Sequence, residues 1–362
     1  MNSRNASILK NYRIVIHFIN RRSNLLTAFL IRSFFFSALF FACKNQKPDI
    51  SNIQINLKLL RFDKDLFAID TSNYKYRIDS LQIKYPVLFP FYFEQLIGWK
   101  VNENSSLNVK DSILHYVMHP YSQALYDSSM RRYNDLSFLQ KQLQTAFKYY
   151  KYYFPDAKIP VIALVINAPP AFTIGDDLIC ISTDKYLGPD FPLYQNEADP
   201  IPQYLLRRFR SEYMASNAIE VFLTGNYEPS NASKALLDAM LYKGKILYLK
   251  QKLMTGVPDS IITGFSAGNL KWLNENEKEI WKFFISKKLL YSQDALEYEK
   301  YVSEGPNTSG MPPEAPGNIG SWLGWRIISK YMRENSSIEL NQLMAEQDAQ
   351  KILTASKYKP LK

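Results

Sequence analysis

The run Ile159-Pro-Val-Ile-Ala-Leu-Val-Ile166 constrains this chain more than any other stretch. It is too short for a buried helix and too rich in β-branched residues, so it reads as a buried strand. Asn167-Ala-Pro-Pro-Ala171 breaks it. Phe172–Ile174 and Asp177–Ile181 follow, joined through Gly175-Asp176, a hairpin signal. After a Pro-punctuated loop, a helix is expected from Pro202 to Phe209, laid under the sheet. This order predicts an α+β fold, predominantly helical, with a small sheet and hairpin packed on several helices. It places Tyr204, Arg207, Arg208 and Arg210 beside a candidate cleft.

The rest of the chain supplies helices. Period-two alternation over Ile53–Leu57 suggests a first strand, and residues 78–84 a helix stopped by Pro86. Asp111–Met118 reads as a short helix ended by Pro120. A longer one, capped at Asn134 or Asp135, buries Leu136, Leu139, Leu143, Phe147 and Tyr150 at helical spacing. Lys234–Met254, capped by Ser233, is apolar around much of its circumference, which marks a deep helix. Further helices are expected over Leu270–Leu290, Ser321–Met332 and Ser337–Ala355. The Gly- and Pro-rich residues 303–320 form a loop long enough to suggest a function.

Motifs that would carry catalysis are incomplete. His115 and His119, four apart, could share a helix face and a metal, but Tyr116 stands where a metalloprotease base would follow. The remaining histidine, His17, precedes the expected mature start, so no three-histidine site can form. Gly264-Phe-Ser266-Ala-Gly268 fits the nucleophile-elbow pattern, yet no histidine follows it. Cys180, amid isoleucines, reads as a small buried hydrophobe. Asp176, Asp177 and Asp184 read as turn chemistry near the hairpin. No metal and no cofactor are expected.

The amino terminus carries a second message. Six of the chain's ten net positive charges fall in residues 1–42, which hold no acid, leaving +4 on the remainder. With lysines and acids interspersed there, nucleic-acid binding is not expected. Ser33–Ala42 is an apolar run of signal-peptide length, too short to span a bilayer. It ends in Ala42-Cys43, which resembles a bacterial lipobox. The expected organisation is a signal peptide over 1–42, lipidated Cys43 and linker over 43–52, and one domain over 53–362. An uncleaved anchor is the alternative. The resemblance implies a lipoprotein held in a cell membrane through Cys43 and facing the periplasm.

Several blocks, in order along the chain, resemble the gliding motility lipoprotein GldB family of Bacteroidetes. They include Arg61-Phe-Asp-Lys-Asp-Leu-Phe67, Lys151-Tyr-Tyr-Phe-Pro155, Met240-Leu-Tyr-Lys-Gly-Lys-Ile-Leu-Tyr248 and Pro316-Gly-Asn-Ile-Gly-Ser-Trp-Leu-Gly-Trp-Arg326. The resemblance implies a role in gliding motility, with envelope and type IX secretion proteins as partners and no known enzymatic activity. The strand–hairpin–helix order is also similar to a zincin core, whose helix would carry His-Glu-x-x-His. Pro202–Phe209 has neither residue, and Lys243-Gly244 stands near the place of a Glu-Gly metal ligand. A charged lysine cannot ligate zinc. The expectation is therefore a degenerate zincin kept as a binding or scaffolding module, its cleft marked by Tyr204, Arg207, Arg208 and Lys243. The alternative is a zinc-dependent peptidase-like hydrolase with an atypical site.

Overall fold

The computed structural model describes residues 47–99, 106–195, 201–229 and 235–360. Cys43, the signal-peptide segment and Ser233 lie outside them. Contacts divide the chain at Asp49, and the fold below is that of the unit Ile50–Lys362.

Four strands build one sheet: β1 (Leu59–Leu60), β2 (Val161–Val165), β3 (Ala171–Ile174) and β4 (Leu178–Ser182), in the order β1-β2-β4-β3. β1, β2 and β4 are parallel, with Ala163 opposite Cys180. β3 pairs antiparallel with β4 as the hairpin predicts, turning at Gly175, whose φ is +57°. The apolar run is continuous because both sheet faces are covered. Ala163, Val165 and Cys180 enter one hydrophobic cluster, while Ile162, Leu164, Ile179 and Ile181 enter the other. Each of these larger aliphatic side chains, fully buried, contributes roughly 1.5–3 kcal/mol. Burial pushes the Cys180 thiol far above its usual range, in keeping with an inert packing residue.

The first face is covered by α1 (Phe62–Phe67), α2 (Tyr74–Lys84), α3 (Leu88–Phe91), which runs on into a π-helical turn at Tyr92–Leu96, α4 (Ser106–Met118) and α5 (Pro120–Tyr133). Residues 53–57 are not a strand; pairing starts two residues later, at Leu59. Pro120 starts a helix rather than only stopping one. It occupies the first helical turn, where its missing N–H is no loss, and His119 Nδ1 caps the helix by accepting from Tyr121 N at 3.3 Å.

The second face carries α6 (Ser137–Tyr153), with its predicted apolar stripe buried; after it the short α7 (Gln203–Leu206) buries Leu206 in a separate small cluster with Tyr194 and Phe209, and α8 (Met214–Asn226) and α9 (Leu236–Leu253) return to that face. The short helices α10 (Asp259–Thr263), α11 (Ala267–Glu275), α12 (Glu277–Ser286) and α13 (Ala295–Val302) lead to α14 (Ile319–Glu334). The chain closes with α15 (Leu340–Ala345) and α16 (Ala349–Ser356). Two expected long helices are thus each split, by caps at Asn276 and at Asp348. Ser266 of the apparent nucleophile elbow is the α11 cap, its Oγ accepting from Asn269 N at 3.0 Å.

α9 and α14 cross in the closest helix contact of this half. A methyl group on Gly324 would lie 1.8 Å from the Met240 carbonyl oxygen, and one on Gly244 would lie 2.3 Å from the Gly324 carbonyl carbon. Backbone meets backbone here, so only hydrogen fits. The glycine beside Lys243 therefore has a packing reason of its own.

Candidate functional site

The expected covering helix, Pro202–Phe209, is helical for only one turn; Pro202 opens it and the chain leaves after Arg207. The helix that lies against β3 and β4 is α8, which the sequence reading passed over. Its buried residues Met214, Ala218, Ile219 and Phe222 recur at helical spacing, and Phe222 meets the ring of Phe147 edge-on at 5.2 Å. That periodicity was the available signal. α8 holds no histidine, and it contributes Glu220 to an ion network with the candidate cleft residues.

Glu220 meets α9. Lys243 and Lys250 are seven residues apart and so share one face of that helix. Lys250 Nζ lies 2.6 Å from Glu220 Oε2, with the lysine side chain 1% exposed and the glutamate 47% exposed. Desolvation raises the Glu220 carboxyl, but the charges of Lys250, Arg208 and Lys243 outweigh it and hold the group below its usual value. Burial pulls Lys250 and Lys243 below the ordinary lysine range, against the restoring charges of Glu220 and Glu304. Lys243 Nζ donates to the Val302 carbonyl.

The arginines close the other side. Arg208 Nη2 bonds Glu304 Oε2 at 2.6 Å, and Asn318 Nδ2 holds Glu304 Oε1 at 2.9 Å. Arg208 Nε donates to the Gly264 carbonyl at 3.0 Å, and Arg207 Nη2 donates to the same oxygen. Gly264 ends α10 at φ +74°, a left-handed turn that aims this carbonyl at both guanidinium groups. Burial and the neighbouring Arg208 charge lower the Arg207 value. Glu304 comes from the loop 303–318, which folds on itself through Thr308 N to Ala315 O at 3.0 Å and Thr308 Oγ1 to Pro316 O at 2.5 Å. Of the four cleft residues read from the sequence, Arg207, Arg208 and Lys243 converge. Tyr204 sits half-buried on α7, outside the network described here. Glu220, Lys250, Glu304 and Asn318 are additions the sequence reading missed.

Beside Lys243 a cavity of about 450 Å³ runs along α9, with Tyr227, Tyr242, Lys245 and Tyr298 in its wall. Glu228 and Asp238 also line it, so the wall offers aromatic rings together with charges of both signs.

The other acidic centre is Asp184, at the carboxyl ends of β2 and β4. It does not join Asp176 and Asp177, which are exposed in the hairpin turn. Asp184 is fully buried, and its Oδ1 accepts from Asn167 N at 3.0 Å and Ser182 Oγ at 2.6 Å. Asn167, at φ +54°, also donates through Nδ2 to the Tyr116 hydroxyl, which meets the Tyr92 hydroxyl at 2.7 Å. Asp184 Oδ2 is 3.8 Å from Lys185 Nζ and makes no hydrogen bond among the described residues. Burial raises this carboxyl, and the Lys185 charge offsets only part of the shift.

His115 and His119 are exposed neighbours, ring centres 6.0 Å apart. Among the described residues no group of three or more metal-ligating side chains forms. No helix among them is long and apolar enough to cross a membrane.

A family model for gliding motility protein GldB matches residues 43–360. The chain belongs to the GldB family. The match runs from Cys43, includes both acidic centres, and ends at the last described residue. No curated protein and no solved structure matches the chain. Membership in the GldB family places the chain among gliding motility proteins.

Proposed function

We propose that this GldB-family chain is an envelope lipoprotein, tethered through Cys43 and facing the periplasm, that serves gliding motility as a non-catalytic binding module. Its partners are proteins of the gliding and type IX secretion apparatus. The observation that carries this reading is the state of the cleft charges. Lys250, Arg208, Arg207 and Lys243 each reach a protein acceptor, and Glu220 and Glu304 each reach a cation or amide. A hydrolase needs a base or metal-bound water with a free valence toward substrate. A cleft whose cations are each held by an acceptor of the protein suits recognition, with the partner entering the neighbouring Tyr242–Tyr298 cavity. On this reading the fold is a zincin-like core in which an ion network on α8 and α9 stands in place of metal.

The test is complementation of a gliding strain lacking its family member. Cys43→Ala and the pair Tyr242→Ala with Tyr298→Ala should each abolish spreading, the first by loss of tethering and the second with tethering intact. Full gliding by both variants would overturn the reading. Purified without chelator, the protein should hold no stoichiometric zinc. One tightly bound zinc per chain would instead support the hydrolase.

A further inference from the structure

A second concentration of charge uses none of the cleft residues. Where the C-terminal ends of α14 and α16 meet, Arg326, Lys330, Arg333, Lys357 and Lys359 line a cavity of about 520 Å³. Of its lining residues only Glu277 carries a carboxylate. Arg326 is answered by that group, with Nε to Oε1 and Nη2 to Oε2 both at 3.0 Å. Lys330 is answered by Glu334 at 2.6 Å. Arg333, Lys357 and Lys359 form no salt bridge among the described residues, although the Glu334 charge acts on Arg333 and Lys357 from further away.

Cations gather at helix C-termini for a bland reason, since each end carries about half a negative charge. That reason is too small here. Two helix ends and the two carboxylates together leave roughly two positive charges uncompensated. The cations also sit on a fixed frame. Lys357 caps α16 in the left-handed conformation, φ +48°, with its N–H returned to Thr354 O at 3.2 Å. Tyr358 is buried between them, its ring edge-on to Trp281 at 5.2 Å and its hydroxyl on Glu277 at 2.6 Å. Lys357 and Lys359 are therefore presented by an anchored segment rather than a loose tail.

We propose that this cavity binds a phosphate-bearing group carrying at least two negative charges. Arg333 supplies a planar fork matched to two phosphate oxygens, and the lysines act as point charges around it. The volume suits a lipid headgroup or a small phosphorylated molecule.

Amine acetylation of the full-length chain, read by mass spectrometry, tests this. In discs of phosphatidylcholine alone, the labelling rates of Lys357 and Lys359 set the baseline. Addition of pyrophosphate, or replacement of half the lipid by phosphatidylglycerol, should slow them at least about fivefold, as occupancy above roughly 80% requires. Exposed Lys282, paired with Glu279, serves as the reference and should not change. Protection by pyrophosphate assigns a soluble phosphate-bearing ligand; protection in the acidic discs alone assigns a headgroup. Arg333→Ala keeps both reporter lysines and should restore their baseline rates. Unchanged rates with both probes, equal protection of Lys282, or full protection in Arg333→Ala would overturn the proposal.

Discussion

The cleft takes its lysines from α9, and the basic cavity takes three of its five cations from α14, the helix that crosses it, yet the two regions treat charge in opposite ways. In the cleft, Lys243 and Lys250 of α9 are largely withdrawn from water and each reaches a protein acceptor. In the cavity, three of the five lining cations reach no carboxylate among the described residues. Buried charge must be answered from within the fold or it costs several kcal/mol. Charge at an open rim costs little and is available to something from outside. The difference separates ionic groups that hold the domain together from ionic groups that can recognise a ligand.

The largest expected effect falls on the crossing of α9, which carries the cleft lysines, with α14, which carries three of the cavity's cations. Gly324→Ala drives a methyl group into the Met240 carbonyl, and the helices must separate. A loss of about 3 kcal/mol or more is expected, beyond ordinary overpacking. Chemical denaturation would measure it, and an unchanged midpoint would mean that α9 and α14 cross elsewhere. Next comes Glu220→Gln, which strands the buried Lys250 ammonium. A fully buried pair would cost about 3–5 kcal/mol; with Glu220 nearly half exposed, about 2 kcal/mol is expected near neutral pH. Because the folded Glu220 value lies below the unfolded one, its stabilisation is full above the unfolded value and is lost as pH falls through the folded value. The gap between parent and variant should therefore close in acid, and a gap that widens would contradict the pairing.

Asp184→Asn should act in the opposite sense. The folded carboxyl is raised by burial, so its contribution is favourable below the unfolded value and is lost as pH rises through the folded one. An amide keeps the acceptor used by Asn167 and Ser182 and removes the buried charge. The variant should be more stable than the parent near pH 7, on the order of 1 kcal/mol, with the advantage vanishing in acid. Thermal melts across pH would show this, and a destabilised variant at pH 7 would assign the ionised form a structural partner. The smallest effect belongs to Arg333→Ala with Lys357→Ala and Lys359→Ala. Each change should shift stability by no more than about 0.5 kcal/mol, because no ion pair is broken. A large loss would place these cations with the cleft residues, as parts of the fold.

Three of the four strands were legible because their signals are local: a β-branched run, a Gly-Asp turn and a continuous apolar pattern that needs two covered faces. The α6 stripe and the deep α9 were legible for the same reason. The two-residue edge strand at Leu59–Leu60 has no such signal, and the alternation over Ile53–Leu57 pointed to the wrong residues. Helix boundaries were not, where one residue has two uses: Pro120 both stops α4 and starts α5. Arg207 and Arg208 were read as charges beside a helix expected to line a cleft, and Lys243 came from the zincin comparison. Their partners were not legible, because Glu220 and Glu304 come from an overlooked helix and from a loop, brought together only by the tertiary fold. The basic cavity was hidden more completely. Its cations fall in two groups, Arg326 to Arg333 and Lys357 to Lys359, with Glu334, Glu339, Glu346 and Asp348 between them, so the sequence reads as mixed charge, and only the meeting of two helix ends sorts the signs.

The central claim, that the cleft charges belong to the fold, is tested most directly by a double-mutant cycle on Glu220→Gln and Lys250→Met, read as unfolding free energy near pH 7. The account predicts that each single change destabilises and that the double variant recovers much of the loss, a coupling of about 2 kcal/mol. Additive losses with a coupling near zero would contradict it. They would mean that Glu220 and Lys250 are held apart from each other's charge and free to act on a substrate.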